Sequence, residues 1–548
     1  MALFFRFGLI VVTFFLSCVC NAFPESPLRA VLLDQRAQLG DGHPDTLTSM
    51  SAYADFLWEN EELQAAAALY LEAYDGRKQL KGPTDRDALF AANNLATVYH
   101  MLGQFSEATP LFKEVLAGMR LASGDTAPET ISAMESAGEH YWGAGEYNDG
   151  LALFKESLAA LRRTHKNGHI RVLESAEFLA NKMIQFDETI ADAGPLFKEV
   201  LDAFRKNEGF DNVDSSKPHP ALLGAINNYA MFLHRTGRFK DAEVLFDEAV
   251  SGLSAAVGFE HESTLVAREN LATLLRDSGK NAQAEVLFRA LHSSRATVFG
   301  EDDPRTLNSG NSHAAILHVM KKWEEAEPIY ASILDFRKKI LGKNAPETLA
   351  TLNNYATLLM DTQRSKTALP LFRECLDARK RVLGPKHPDV LRTLVNTGNA
   401  LRELGRMGDA NKHFKEAVDG QREVLGASHP ETLVSMEMYG SFLDFQGRKS
   451  EATVLFRAAV DARREALGDD HSDTKEALRR FIDYLTKKGG ATLEVSNLHL
   501  VLKAGKEREE KKKLVVAKVE EEDDEGNVTD NSGIIDSAID EADEVIEL

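Results

Sequence analysis

Residues 425–433 read Leu-Gly-Ala-Ser-His-Pro-Glu-Thr-Leu, a histidine and a carboxylate beside a rigid proline, and so look at first like a ligand loop. The same pattern returns along the chain as HPDTL at 43, APETI at 127, HPALL at 219, HESTL at 261, DPRTL at 303, APETL at 345 and HPDVL at 387. With the last residue of each taken as position 0, the register runs Leu47, Leu89, Ile131, Leu173, Leu223, Leu265, Leu307, Leu349, Leu391, Leu433 and Lys475. The step is 42 residues, except between Leu173 and Leu223, where it is 50. A fixed period of this size marks a solenoid, whose units bury an apolar face only by stacking. The stretch is therefore punctuation in a tandem array.

Each unit reads as two helices. Proline at −3 suits a first helical turn, where its missing N–H would be unbonded anyway, and the acid that often follows faces the positive helix end. A glycine at +14 (Gly103, Gly145, Gly237, Gly279, Gly405, Gly447) stops helix A, and one at +35 (Gly342, Gly384, Gly426, Gly468) stops helix B. Position +7 is always small: Ala54, Ala96, Gly138, Ala180, Ala230, Ala272, Ala314, Ala356, Gly398 and Gly440. Position +19 is mostly alanine, and +23 is aromatic from Tyr70 and Phe112 through Phe414 and Phe456. Two small columns let helices A and B approach closely, and the ring fills the space beside them.

Small at +7, alanine at +19, an aromatic at +23 and often alanine at +26 resemble the tetratricopeptide repeat. The 42-residue period and the HPxTL opening are similar to kinesin light chains in particular. The resemblance covers residues 28–488 and implies an all-α fold, a right-handed superhelical solenoid of about ten helix pairs. Residues 23–40 resemble a helix B without its partner, 41–470 hold ten repeats, and 471–488 form a C-terminal capping helix A with a polar outer surface (Lys475, Arg479, Arg480, Asp483, Lys487). The fourth repeat, 169–218, departs: its turn around 185–194 lacks the stop glycine, and its exit, NEGFDNVDSSK, is longer. A joint or protruding loop is expected there.

A chain of 548 residues is too long for one compact core, and 43% apolar with 27% charged residues is ordinary for a folded protein. The formal charge is −21, but residues 519–548 carry thirteen acids and no lysine or arginine. The body is only mildly acidic, and no basic patch suggests nucleic acid or an anionic membrane. Residues 489–548 read as a charged, acidic, mostly disordered tail, with Ile535, Ile539, Ala542, Val545 and Ile546 spaced for a helix formed on a partner and a glycosylation sequon at Asn527. Residues 1–22 fit a cleaved signal peptide, with Arg6, an apolar run and small residues around Asn21; an uncleaved anchor is the alternative. The expected location is the secretory lumen or outside, with a complex plastid as a further possibility from Phe23-Pro24. Removing Cys18 and Cys20 with the signal leaves Cys375 alone, so no intramolecular disulfide is expected.

No P-loop, HExxH, GxSxG or paired CxxC occurs. The motif histidines lie one to a repeat, whereas a metal needs ligands converging at roughly 2 Å; no metal and no cofactor is expected. Glu135 and Glu139 share a helix face but read as solvated, and Cys375 falls in the +26 alanine column as a small core residue. By resemblance, helix A lines a concave groove through positions +1, +4, +5, +8 and +11. Asn94, Asn228, Asn270, Asn354 and Asn396 at +5 could hydrogen-bond an extended peptide backbone or tie neighbouring helices together. Trp58, His100, Trp142, His234 and His318 at +11 could anchor a partner or pack on the next helix. The lysine that chaperone adaptors of this family place at +4 to grip a C-terminal carboxylate is missing here. With Asp55, Glu139 and Glu174 nearby, a neutral or basic peptide is the expected partner. The functional expectation is a non-enzymatic scaffold. The alternatives are a kinesin light chain-like cargo adaptor, against which no coiled coil precedes Leu47, and an enzyme with an unrecognised site.

Overall fold

A computed structural model describes residues 27–206, 219–469, 471–488 and 493–504. The signal segment, the exit loop of the fourth repeat, the sequon and the acidic end of the tail lie outside the described residues. Among the described residues there is no strand; the chain is an all-α repeat solenoid of paired helices, from Pro44–Glu59 and Leu63–Lys81 in the first repeat to Pro430–Phe445 and Lys449–Leu467 in the tenth. It divides into two compact units at Gly279 and Lys280, inside the sixth repeat. Within each unit, helix A lies against helix B, and helix B against the helix A that follows.

Each letter of the repeated motif has a structural task. His43, His169, His219, His261, His387, His429 and His471 are N-cap residues, each accepting through Nδ1 the backbone N–H two residues on, at 3.2 Å. Asp85 and Asp303 do the same with a carboxylate. The proline opens the helix at its first position, and the threonine turns back: Thr46 and Thr130 donate to Gln35 O and Met119 O, eleven residues earlier. The leucine at 0 is buried against helix B of its own repeat. A Cβ on Gly76, Gly118, Gly252 or Gly420, all at +29, would come within 2.6 Å of Leu47, Leu89, Leu223 or Leu391. This third small column, also Ala160, Ala378 and Ala462, is broken at Asp202 and Phe336 in the fourth and seventh repeats.

The small residue at +7 meets the aromatic at +23 of the same repeat. A Cβ on Gly138 would lie 2.5 Å from the Phe154 ring, and Gly398 and Gly440 face Phe414 and Phe456 in the same way. Phe154, Phe246, Phe372 and Phe414 are fully buried, worth about 1.5–3 kcal/mol each. The +14 glycines adopt φ between 72° and 84°. In the first, seventh and eighth repeats, which have no glycine there, Glu61, Lys321 and Gln363 take the same left-handed conformation at φ 60–64°. The fourth repeat dispenses with it: helix B starts at Asp187, two residues early in register, and the aromatic column shifts by one to Phe197.

The C-terminal end differs from the expectation of a lone capping helix followed by disorder. Residues 493–504 form a further helix. Its Val495, Leu498, Val501 and Leu502, spaced three and four apart, pack on Leu478, Phe481 and Leu485 of Ser472–Lys487. The last helix A thus has a partner, because its apolar face continues the array and needs cover. Of its five polar residues Lys475 is buried; the other four are exposed.

Candidate functional site: the helix-A face

Four of the five asparagines at +5 are bound to the preceding repeat. Asn228 Nδ2 donates to Glu177 Oε1 at 2.8 Å, Asn270 Nδ2 to Asn227 Oδ1 at 3.0 Å and Asn396 Nδ2 to Asn353 Oδ1 at 3.2 Å. In each case the acceptor sits at +4 of the preceding repeat. Asn94 hydrogen-bonds the Tyr70 hydroxyl instead, and Asn354 is half-buried. A primary amide carries two N–H donors and a carbonyl oxygen; the ladder takes one donor of Asn228, Asn270 and Asn396, and Asn228 Oδ1 also accepts from Asn227 Nδ2 at 3.4 Å.

The rings at +11 are half-buried between helices. Trp58 makes an edge contact with Tyr70. Trp142 packs on Tyr147 and Phe186 and lies 4.6 Å from the Lys182 ammonium, which also sits over Phe178 and Phe154. His234 Nε2 meets Asp277 at 3.1 Å and His318 Nε2 meets Asp361 at 2.8 Å, each carboxylate at +12 of the next repeat. His100 Nδ1 is 3.2 Å from Nδ1 of the buried His140, whose Nε2 is 2.7 Å from Thr109 Oγ1. Burial, and secondarily the neighbouring His100, push the His140 pKa down to about 4.

The two carboxylates that share a face are separately occupied. Glu135 accepts from Ser157 and lies 3.5 Å from Arg171, and burial raises its pKa; Glu139 pairs with Lys182 at 3.1 Å. Burial likewise raises Glu177. Cys375 is fully buried, donates to Leu349 O at 3.3 Å, and has its thiol pKa pushed up by burial. Among the described residues no three histidine, cysteine or carboxylate side chains converge as metal ligands.

One set of residues in this surface was overlooked in the sequence. Position +30 holds Arg77, Arg295, Arg337, Arg379 and Arg463, reaching from helix B under the helix-A face. Arg337 donates to Glu347 O at 2.9 Å, Thr351 Oγ1 at 2.6 Å and Asn308 Oδ1 at 2.5 Å; Arg379 repeats this with Asp389 O and Thr393 Oγ1. The column was legible in the register, but a long charged side chain reads as surface until its burial is seen.

A family model described as tetratricopeptide repeat matches residues 45–121, 87–163, 222–295, 302–379, 347–423 and 396–465, together more than half of the chain. The chain belongs to the tetratricopeptide repeat family. Tetratricopeptide repeats are a protein–protein interaction architecture. Solved structures similar to the chain include nearly identical TPR-like repeats of a Podosopora anserina protein described as a kinesin light chain, at 21% identity and TM-score 0.35, over 40% of this chain and 98% of that one. BtubC from P. vanneervenii matches at 19% identity and TM-score 0.34 over 46% and 92%. The apo form of the quorum sensor NprR from B. thuringiensis matches at 12% identity and TM-score 0.46 over 76% and 99%. Likenesses of this extent carry nothing about function. No curated protein matches the chain.

Proposed function

We propose that this tetratricopeptide protein is a non-enzymatic scaffold whose helix-A face holds an extended segment of a partner protein. One observation carries the reading: half-buried asparagines recur at +5 from repeat to repeat, and an amide, with two donors and an acceptor together, suits a peptide backbone. A neutral or basic partner fits the first unit, where Asp55, Glu139 and Glu174 are exposed. The apolar run in residues 1–22 supports a destination in the secretory pathway, tested by sequencing the mature amino terminus.

The test uses the full chain and a peptide selected against it from a random display library. Replacing Asn228, Asn270 and Asn354 with alanine should weaken binding at least about tenfold, since each lost hydrogen bond is worth about 1 kcal/mol. Helix content by circular dichroism should be retained. An unchanged Kd with the fold intact removes this face as the binding surface.

A further inference from the structure

Three departures from the repeat register fall in one layer, between helix B of the sixth repeat (Asn281–Phe299) and helix A of the seventh (Pro304–Val319). Position +27 is apolar in the neighbouring repeats (Val250, Leu334, Leu376, Val418) but is His292 here. Position +6, elsewhere Leu271, Tyr355 or Tyr439, is His313. Position +3, elsewhere Leu352, Leu394 or Met436, is Gly310. The missing side chain makes room for an imidazole, since a Cβ on Gly310 would lie 2.8 Å from His292 Nε2 and 2.9 Å from Ile333 Cδ1. Beside them stands Glu285 at +20, a position that is also glutamate in the fifth and seventh repeats (Glu243, Glu327); it is 5% exposed.

These groups are close but unsatisfied. The His292 and His313 rings are 6.0 Å apart between centroids. His313 Nε2 is 3.6 Å from Glu285 Oε1, and Arg289 Nε is 3.7 Å from the same oxygen, both beyond hydrogen-bonding distance. His313 is 7% exposed, and neither of its ring nitrogens has a hydrogen-bond partner, nor has Glu285 Oε1. A cavity of about 340 Å³, lined by Arg289, His292, Ser293, Glu301 and His313, gives water and protons access to them. The three candidate ligands do not converge on a metal position. The charged groups around the two imidazoles are Glu285, Arg289 and Glu301; from Trp323–Ile340 the contact is the apolar Ile333.

We infer that this layer is an acid-sensitive joint, in which proton uptake by His292 and His313 loosens the seventh repeat's helix A from the sixth repeat's helix B. Two imidazolium ions at this separation repel one another, and one buried carboxylate already shared with Arg289 offsets only part of that repulsion. Burial lowers the pKa of both histidines, and for His313 the neighbouring His292 lowers it further. A folded-state pKa below the free value near 6.5 means that the packed joint binds fewer protons than the opened one. Its stability is therefore complete above that value and falls as pH drops through it.

The experiment is amide hydrogen exchange of the full chain at pH 7 and pH 5, corrected for intrinsic rates. Protection in the amides of Pro304–Val319 should fall severalfold between pH 7 and pH 5. Ser365–Leu383, which contains no histidine, is the internal reference and should hold. The double variant His292→Leu, His313→Tyr takes its residues from the same columns of other repeats and should abolish the loss. Glu285→Gln should deepen it, because the carboxylate facing His313 is removed. Flat protection in the native chain, or an equal loss in the double variant, overturns the proposal.

Discussion

Gly138 shows how a single missing carbon sets a repeat. Its place at +7 is pressed by Phe154, which Phe178 in turn holds edge-on at 4.9 Å between centroids, so the ring cannot retreat. Gly138→Ala should cost about 1–3 kcal/mol through overpacking. Gly398→Ala, where the added carbon would sit 3.2 Å from Phe414, should cost less. Urea midpoints of the two variants check the ranking, and the reverse order would show that the ring does not set the limit. At +14 the strain has the opposite remedy. Lys321→Gly and Gln363→Gly should each stabilise by about 0.5–1 kcal/mol, because an L-residue is disfavoured in the left-handed region by somewhat more than glycine's extra chain entropy. That the sequence has glycine at +14 in six repeats made the position legible, and the three exceptions could be read by register alone.

At the scale of the helix, caps vary along the array in a way that permits a test. The third and eighth repeats open on Ala127 and Ala345, which offer no side-chain acceptor, while Asp85 and Asp303 stand at the same place in others. Ala345→Asp should raise stability by about 1 kcal/mol and His387→Ala should lower it by about as much, both by urea denaturation. The buried His140 ties the second and third repeats. Its pKa lies near 4 in the folded chain against about 6.5 free, so stability is whole above pH 6.5 and drains away as pH falls towards 4. His140→Phe, the residue at that position in the first, fifth and tenth repeats, should flatten this part of the urea-midpoint profile against pH. A profile unchanged in the variant would assign the acid loss to other groups. Periodicity revealed the helices; it gave no hint that His100 and His140, in different columns, would share a hydrogen bond.

Across the whole molecule, cover for the terminal faces decides where the array stops. The helix at 493–504 shields Phe481 and Leu485, and truncation after Lys488 should lower exchange protection in Ser472–Lys487 about tenfold while leaving Pro346–Asp361 unchanged. Its run, LEVSNLHLVLKA, has the spacing of an amphipathic helix, but the charged residues that follow at once disguise it as the start of the tail. The candidate site divides similarly. Asn228, Asn270 and Asn396 were visible as a column, whereas their acceptors Glu177, Asn227 and Asn353 belong to the preceding repeat and become partners only when helices stack.

By itself the sequence determined the repeat, its period, its helix boundaries and its small columns, because these depend on chain-local geometry: caps, proline at the first turn, glycine in the left-handed region and the spacing of apolar residues. Only the tertiary structure decided which polar groups meet across repeats. The Arg337 network, the His234–Asp277 and His318–Asp361 pairs and the histidine layer around Gly310 all join side chains between ten and forty-three residues apart. Such pairings follow from burial and from the facing of stacked helices, which one strand of sequence pattern does not encode.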